Sequence, residues 1–431
     1  MGDARPIGRW KMTALIVNCI IGSAIFGVPS ETIRMVGNMS PLAMIAAAFL
    51  MGIIILPVAE VASQFSEAGG MYLYARTAFG RFVGLQVGWF WLLAIVGGGA
   101  AGANLFLTYL AQFLPSAAHG WPRAAILLVV ISIPTAANYL GVRQGANLSV
   151  LFTFAKALPL ALVIGLGLFQ ATVPLHAAQA LPFPASAWPK LLLILLYAFS
   201  GWEDALVPSG EVQQPRRTIP FALTTGLLVC AVIYTLFQFV VLQTIGTDPT
   251  DRPVVETASA LLGRGAGWFV AVAVMLSTYG WLSGAFLNAP RFPVALAHQG
   301  DCPAAFGKLH PRFRTPSIGI LLYGATVLVL AVTGTFLWAI ALTAGALTIF
   351  YAVTCAALIQ LRGSRPNAQA FRLPFGRLFA VLGIAISAAL LTQLELRQLS
   401  LMSITALLAA GNWLWARANA TRERHEFHEV P

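Results

Sequence analysis

Apolar stretches about twenty residues long recur from one end of this chain to the other. We place twelve of them at 12–34, 41–63, 83–113, 122–140, 147–170, 189–212, 218–244, 266–296, 317–334, 337–361, 376–394 and 399–416. A helix needs roughly 20 apolar residues to cross the hydrocarbon core. Backbone groups in lipid must be paired within their own segment, so spans of this length read as helices. Only 10% of the 431 residues are charged, against about a quarter in a soluble domain, and such a surface needs lipid as its solvent. The expected fold is therefore an all-α polytopic membrane protein with about twelve transmembrane helices in a single domain, residues 1–416, followed by a charged tail at 417–431 that is expected to be disordered. No cleavable signal peptide is expected, because the first apolar stretch is too long and too interrupted by polar residues.

The net charge of +11 would suit a nucleic-acid partner, but its distribution argues against one. With the N-terminus in the cytoplasm, 19 of the 26 Lys and Arg residues fall on cytoplasmic segments. That asymmetry is the positive-inside bias, and it places both termini in the cytoplasm. The expected partner of the outer surface is the lipid bilayer, in a location of the bacterial inner-membrane type. The four cysteines (19, 230, 302 and 355) have no metal-like spacing and read as free thiols. The six histidines read as loop or tail residues, no nucleotide-binding loop is present, and no cofactor, metal site or enzymatic constellation is expected.

Two spans are broken. The first carries GSAIFG from Gly22 to Gly27, followed by Pro29; the sixth carries SGWED from Ser200 to Asp204, followed by Pro208. Interrupted segments at matching places in two halves point to an inverted-repeat transporter with its site at the bilayer midplane. The repeats would be five plus five helices, about 10–170 and 188–362, with helices 11 and 12 (about 375–416) outside them. The plain alternative is that each glycine marks a close helix contact.

These residues resemble the amino acid–polyamine–organocation (APC) superfamily, in its amino acid permease type. The family's first-helix G-S-G-I-F is matched by Gly22, Ser23, Ala24, Ile25 and Phe26, with Ala24 in place of the second glycine. The run AEVASQFSEAGGMYLYARTAFG (Ala59 to Gly80) is similar to the family's AEL…P-E-A-G-G-x-Y-x-Y…F-G. GEVQQPRRTIP (Gly210 to Pro220) and RFPVALAHQGDCP (Arg291 to Pro303) resemble two further family segments. The resemblance implies a secondary transporter working by alternating access, with the substrate backbone held by the unwound parts of helices 1 and 6.

A broken helix presents N–H donors at one end and carbonyls at the other, an arrangement suited to a zwitterion. The N–H groups around Gly22, Ser23, Ala24 and Ile25 are the expected carboxylate ligands. Carbonyls near Cys19 and Ile20, and from Tyr197 through Phe199, Ser200 and Gly201, are the expected ammonium ligands. Glu203 is an intramembrane carboxylate, a type that usually faces a polar pathway. It is read as a substrate or proton site, against the alternative that it braces the break. Asp204, about 100° away on an α-helix, is read as bracing. Tyr197 is the gating aromatic that the resemblance implies, with Trp202 a second. Lys156, the one cation deep in a span, stands where sodium-independent family members carry a lysine in place of sodium. Gly97 to Ala103 on helix 3 reads as helix packing or as the wall of a roomy pocket.

The expected function is sodium-independent amino acid transport, by proton coupling or exchange. Rival readings are a polyamine or cationic amino acid antiporter, which Glu203 favours, and an amino acid sensor that moves nothing.

Overall fold

The computed structural model describes residues 6–428 apart from 66, 68, 142–145, 171–184, 208, 248–249 and 365–369; for 146–155 and 420–428 only the backbone is described. The described chain is helical throughout, with one isolated parallel bridge, Ile7 to Val212. In chain order the helices are α1 Arg9–Ile20, α2 Ala24–Val36, α3 Ser40–Ala62, α4 Gly70–Phe79, α5 Arg81–Leu110, α6 Gly120–Tyr139, α7 Ala146–Gln170, α8 Trp188–Ala198, α9 Pro215–Ile245, α10 Pro253–Leu262, α11 Arg264–Asn288, α12 Arg291–His298, α13 Ala304–Gly307, α14 Ser317–Thr333, α15 Phe336–Ser364, α16 Gly376–Leu391 and α17 Leu396–His428.

Seven helical stretches among the described residues are long and apolar enough to cross a membrane: 24–62, 81–110, 120–139, 215–245, 264–298, 336–364 and 396–419. Five shorter apolar helices accompany them. The architecture is thus that of a multi-pass membrane protein. Its outer surface carries large apolar side chains in the open, among them Phe49, Trp121, Phe169, Leu228 and Leu407, while Glu60, Glu203 and Asp301 are buried. In water that exterior would aggregate; against lipid it is the solvent-facing side.

The centre is built from α5, which packs along α15 and α11, and from α1 and α3, which pack on α9. Close approach explains the glycines of α5. A Cβ on Gly97 would lie 2.5 Å from Thr343 Oγ1 of α15, and one on Gly98 would lie 2.7 Å from the Trp281 ring of α11. The GGG run is therefore chiefly a packing surface, as small residues in membrane helices usually are. The helices α16 and α17 lie against α3, α5 and α15.

The first span is broken where the sequence reading put it: it is two helices, α1 and α2, with Ile21–Ser23 between them. Three features depart from that reading. The sixth span does not resume as an α-helix after its break: residues 204–206 and 209–211 form short 3₁₀ turns instead. Local side chains compete there with the helical ladder. Ser200 Oγ donates to Tyr197 O at 2.7 Å, and Ser209 Oγ donates to Leu206 O. Pro208, also expected to matter, lies outside the described residues. Finally, the tail expected to be disordered continues α17 as far as His428. Its Ala, Arg and Glu residues are strong helix formers and extend an already nucleated helix. His298 likewise closes α12 rather than lying in a loop.

Candidate binding site between two broken helices

At the first break the α1 ladder ends with Ile21 N–H donating to Val17 O at 2.9 Å. Ser23 caps α2, and the next local bond is Phe26 N–H to Ser23 O at 3.2 Å. The amides of Gly22, Ser23 and Ala24 precede the α2 ladder and stand at its positive end. The carbonyls on the other side are largely engaged. Lys156 Nζ donates to Asn18 O at 2.5 Å and to Ile21 O at 2.9 Å. Tyr234 OH donates to Ile20 O at 2.9 Å. Cys19 O faces Gly201 so closely that a Cβ there would lie 2.4 Å away. The Ile20 carbonyl, expected as an ammonium ligand, thus already has a protein donor.

At the second break α8 stops at Ala198 and Ser200 N–H donates to Tyr197 O at 3.1 Å. Gly201 then takes φ +101°, a region closed to most L-residues. This lets the chain double back, so that Glu203 Oε2 accepts from the Gly201 N–H at 2.9 Å and from Tyr351 OH at 3.1 Å. Asp204 Oδ1 accepts from Trp91 Nε1 at 3.3 Å. Ser23 Oγ and Tyr197 OH, 3.4 Å apart, join the two breaks by a hydrogen bond.

Between the breaks lies a cavity of about 50 Å³. Of the residues anticipated from sequence, Cys19, Ile20, Gly22, Ser23, Ala24, Tyr197, Ser200, Gly201 and Glu203 line it. It shares Cys19, Gly22, Trp91, Ile95, Glu203, Asp204 and Trp281 with a larger cavity of about 740 Å³, which Lys156 also lines. Ile25, Phe199 and Trp202 line neither. Phe199 packs on Tyr234, with ring centroids 5.1 Å apart, and Trp202 stacks on Tyr351 at 5.2 Å, both fully buried. The gating role expected of Trp202 therefore meets a side chain locked in the core behind Glu203.

Asp204 is the main correction. The 100° separation from Glu203 assumed an α-helix, and the backbone here is not one. Both residues line both cavities. Ile95 and Gly98 from α5, and Thr343 and Leu347 from α15, also line the inner cavity and carried no decisive sequence signal. Gly98 belongs to the glycine run, so that run contributes to the wall as well as to packing.

The larger cavity extends to Tyr72 of α4, Arg291 of α12 and Gln299. Around α2 the packing is tight. A Cβ on Gly27 would lie 2.4 Å from the Phe336 ring, Tyr109 OH donates to Phe26 O at 2.7 Å, and Gln238 Nε2 donates to Pro29 O at 3.2 Å. No group of three or more His, Cys, Asp or Glu residues is placed to hold a metal ion among the described residues.

A protein-family model described as "Amino acid permease" matches residues 7–412. The chain is similar to the serine/threonine exchanger SteT of Bacillus subtilis, 27% identical over 408 residues, covering 89% of this chain and 90% of that protein. It is similar to the uncharacterized amino acid permease YecA of the same organism, at 26% identity over 84% of this chain and 86% of that one. It also resembles a probable polyamine transporter of Arabidopsis thaliana, at 29% identity over 65% of this chain and 59% of that one.

Proposed function

Because this chain belongs to the amino acid permease family of the APC superfamily, we propose that it carries amino acids across the membrane by alternating access. The observation that supports this reading best is the convergence of both breaks on one cavity. The amides of Gly22, Ser23 and Ala24, at the positive end of α2, suit a substrate carboxylate. The acceptors suited to its ammonium are the Cys19 carbonyl, the Ser200 region and the Glu203 side chain. Tyr197, linked to Ser23, stands where it can cover the substrate.

In this reading twelve helices cross the membrane and two five-helix repeats are related by inversion. The repeats run from about 10 to 170 and from about 188 to 362, with α16 and α17 as additions. Both termini lie in the cytoplasm, and the open cavity faces inward at α4 and α12. Lys156 supplies a fixed positive charge beside the first break, so sodium is not required and the driving force is a proton gradient or exchange. A second reading, an exporter or exchanger of polyamines, draws on the pair of carboxylates at the cavity and on the similarity to a plant polyamine transporter.

Reconstitution into liposomes tests the proposal. Purified protein should take up or exchange at least one amino acid or amine. Saturable binding without flux would instead identify a sensor, and neither binding nor flux would remove the reading altogether.

A further inference from the structure

We infer that Asp204, steadied by Trp91, is the residue that selects substrates by charge, and that it receives a second cationic group carried on the substrate side chain. The inference rests on the proposed reading of the cavity as a substrate site and adds the substrate class, a basic amino acid.

The two carboxylates differ in their hydrogen bonds. Glu203 is buried and folded onto the protein, with Oε2 held by the Gly201 amide and by Tyr351 OH. Tyr351 is itself pinned by stacking on Trp202. Glu203 therefore fixes the shape of the second break. Asp204 is half-buried, and among the described residues its side chain accepts one long bond, from the Trp91 indole at 3.3 Å to Oδ1. Trp91 packs on Phe292, with centroids 5.3 Å apart, which holds the indole in place. That arrangement orients the Asp204 carboxylate while leaving it further acceptor capacity, on a residue that lines the cavity.

Charge sharpens the argument. No salt bridge joins Glu203 or Asp204 to a Lys, Arg or His among the described residues. Lys156, on the wall of the larger cavity, is turned to the carbonyls of Asn18 and Ile21. Two adjacent carboxylates within a membrane protein call for a proton or a cation, and a basic substrate can supply the cation. Position fits as well. Asp204 lines both the small cavity at the breaks and the larger one beyond it. A substrate whose α-amino and α-carboxylate groups occupy the breaks can extend its side chain past Asp204 into the larger space.

The test is uptake by proteoliposomes of lysine, ornithine and serine, by the unaltered protein and by Asp204→Asn, Asp204→Glu and Glu203→Gln. The unaltered protein should favour the basic amino acids. Asp204→Asn should lower the lysine-to-serine uptake ratio by about tenfold or more, the scale of one lost charged contact. Glu203→Gln should depress flux of both classes together and leave that ratio in place. Asp204→Glu, which preserves the charge one methylene further out, should shift the ratio of lysine to ornithine, so the idea stays testable if Asp204→Asn fails to fold. A lysine-to-serine ratio unchanged by Asp204→Asn, or an unaltered protein that prefers serine, overturns the inference and leaves the transport reading standing. An unaltered protein that moves no amino acid overturns both.

Discussion

The Lys156 ammonium donates to the Ile21 carbonyl at 2.9 Å, across 135 positions of sequence. With its second bond, to Asn18 O, it satisfies the carbonyl end of α1 where the helix has come apart. A side-chain cation thus stands where the negative end of a helix would otherwise be unpaired.

From this contact we expect Lys156→Met to be destabilising, since it strands two part-buried carbonyls at about 1–3 kcal/mol each. The melting temperature of the purified protein should fall, and transport should drop by about tenfold or more. Transport by the unaltered protein should persist when choline replaces sodium. A strict sodium requirement would refute the role given to this lysine, as would a fully active, fully stable Lys156→Met.

Gly201→Ala should damage both stability and transport. It combines a positive φ with a Cβ 2.4 Å from a backbone oxygen, and strain of this kind costs on the order of 1–3 kcal/mol. Gly411→Ala in α17 is the matched control, because nothing lies within 4 Å of its added methyl. There the change should be neutral or raise stability by about 0.5–1 kcal/mol. Comparable melting temperatures for the two variants would show that the second break tolerates another backbone path.

Glu60 on α3 and Arg362 on α15 form a bidentate pair, with Arg362 Nε to Oε1 at 2.8 Å and Nη2 to Oε2 at 2.6 Å. The Leu373 amide adds a third bond to Glu60, and Arg362 returns one to the Leu373 carbonyl, both at 2.8 Å. Glu60 is fully buried. Removing Arg362 alone should cost about 3–5 kcal/mol by leaving that charge uncompensated. The double change Glu60→Met with Arg362→Met should cost less than Arg362→Met alone. Thermal melting of Glu60→Met, Arg362→Met and the double variant in detergent measures this, and strictly additive losses would argue against the pair.

Much of the site was legible in the sequence because breaks in membrane helices have local causes. Gly22, Gly201 and the serines beside them mark where the ladder fails, and nine anticipated residues line the inner cavity. Lys156 was legible as a lone deep cation; its two acceptors were not, because they belong to another helix. The rings of Phe199 and Trp202 pack into the core, which the sequence could not show because aromatic character says nothing about which side of an irregular segment a ring occupies.

The length and recurrence of the apolar runs, with few charges among them, were enough to establish a multi-pass helical membrane protein, and its family followed from short local motifs. The contacts of Glu60 with Arg362, of Glu203 with Tyr351 and of Asp204 with Trp91 belong to the tertiary structure alone. Each joins residues more than one hundred positions apart. Tertiary structure also decided that two consecutive carboxylates share a cavity. Once the backbone leaves the helix, helical spacing no longer dictates direction, and packing against distant helices does.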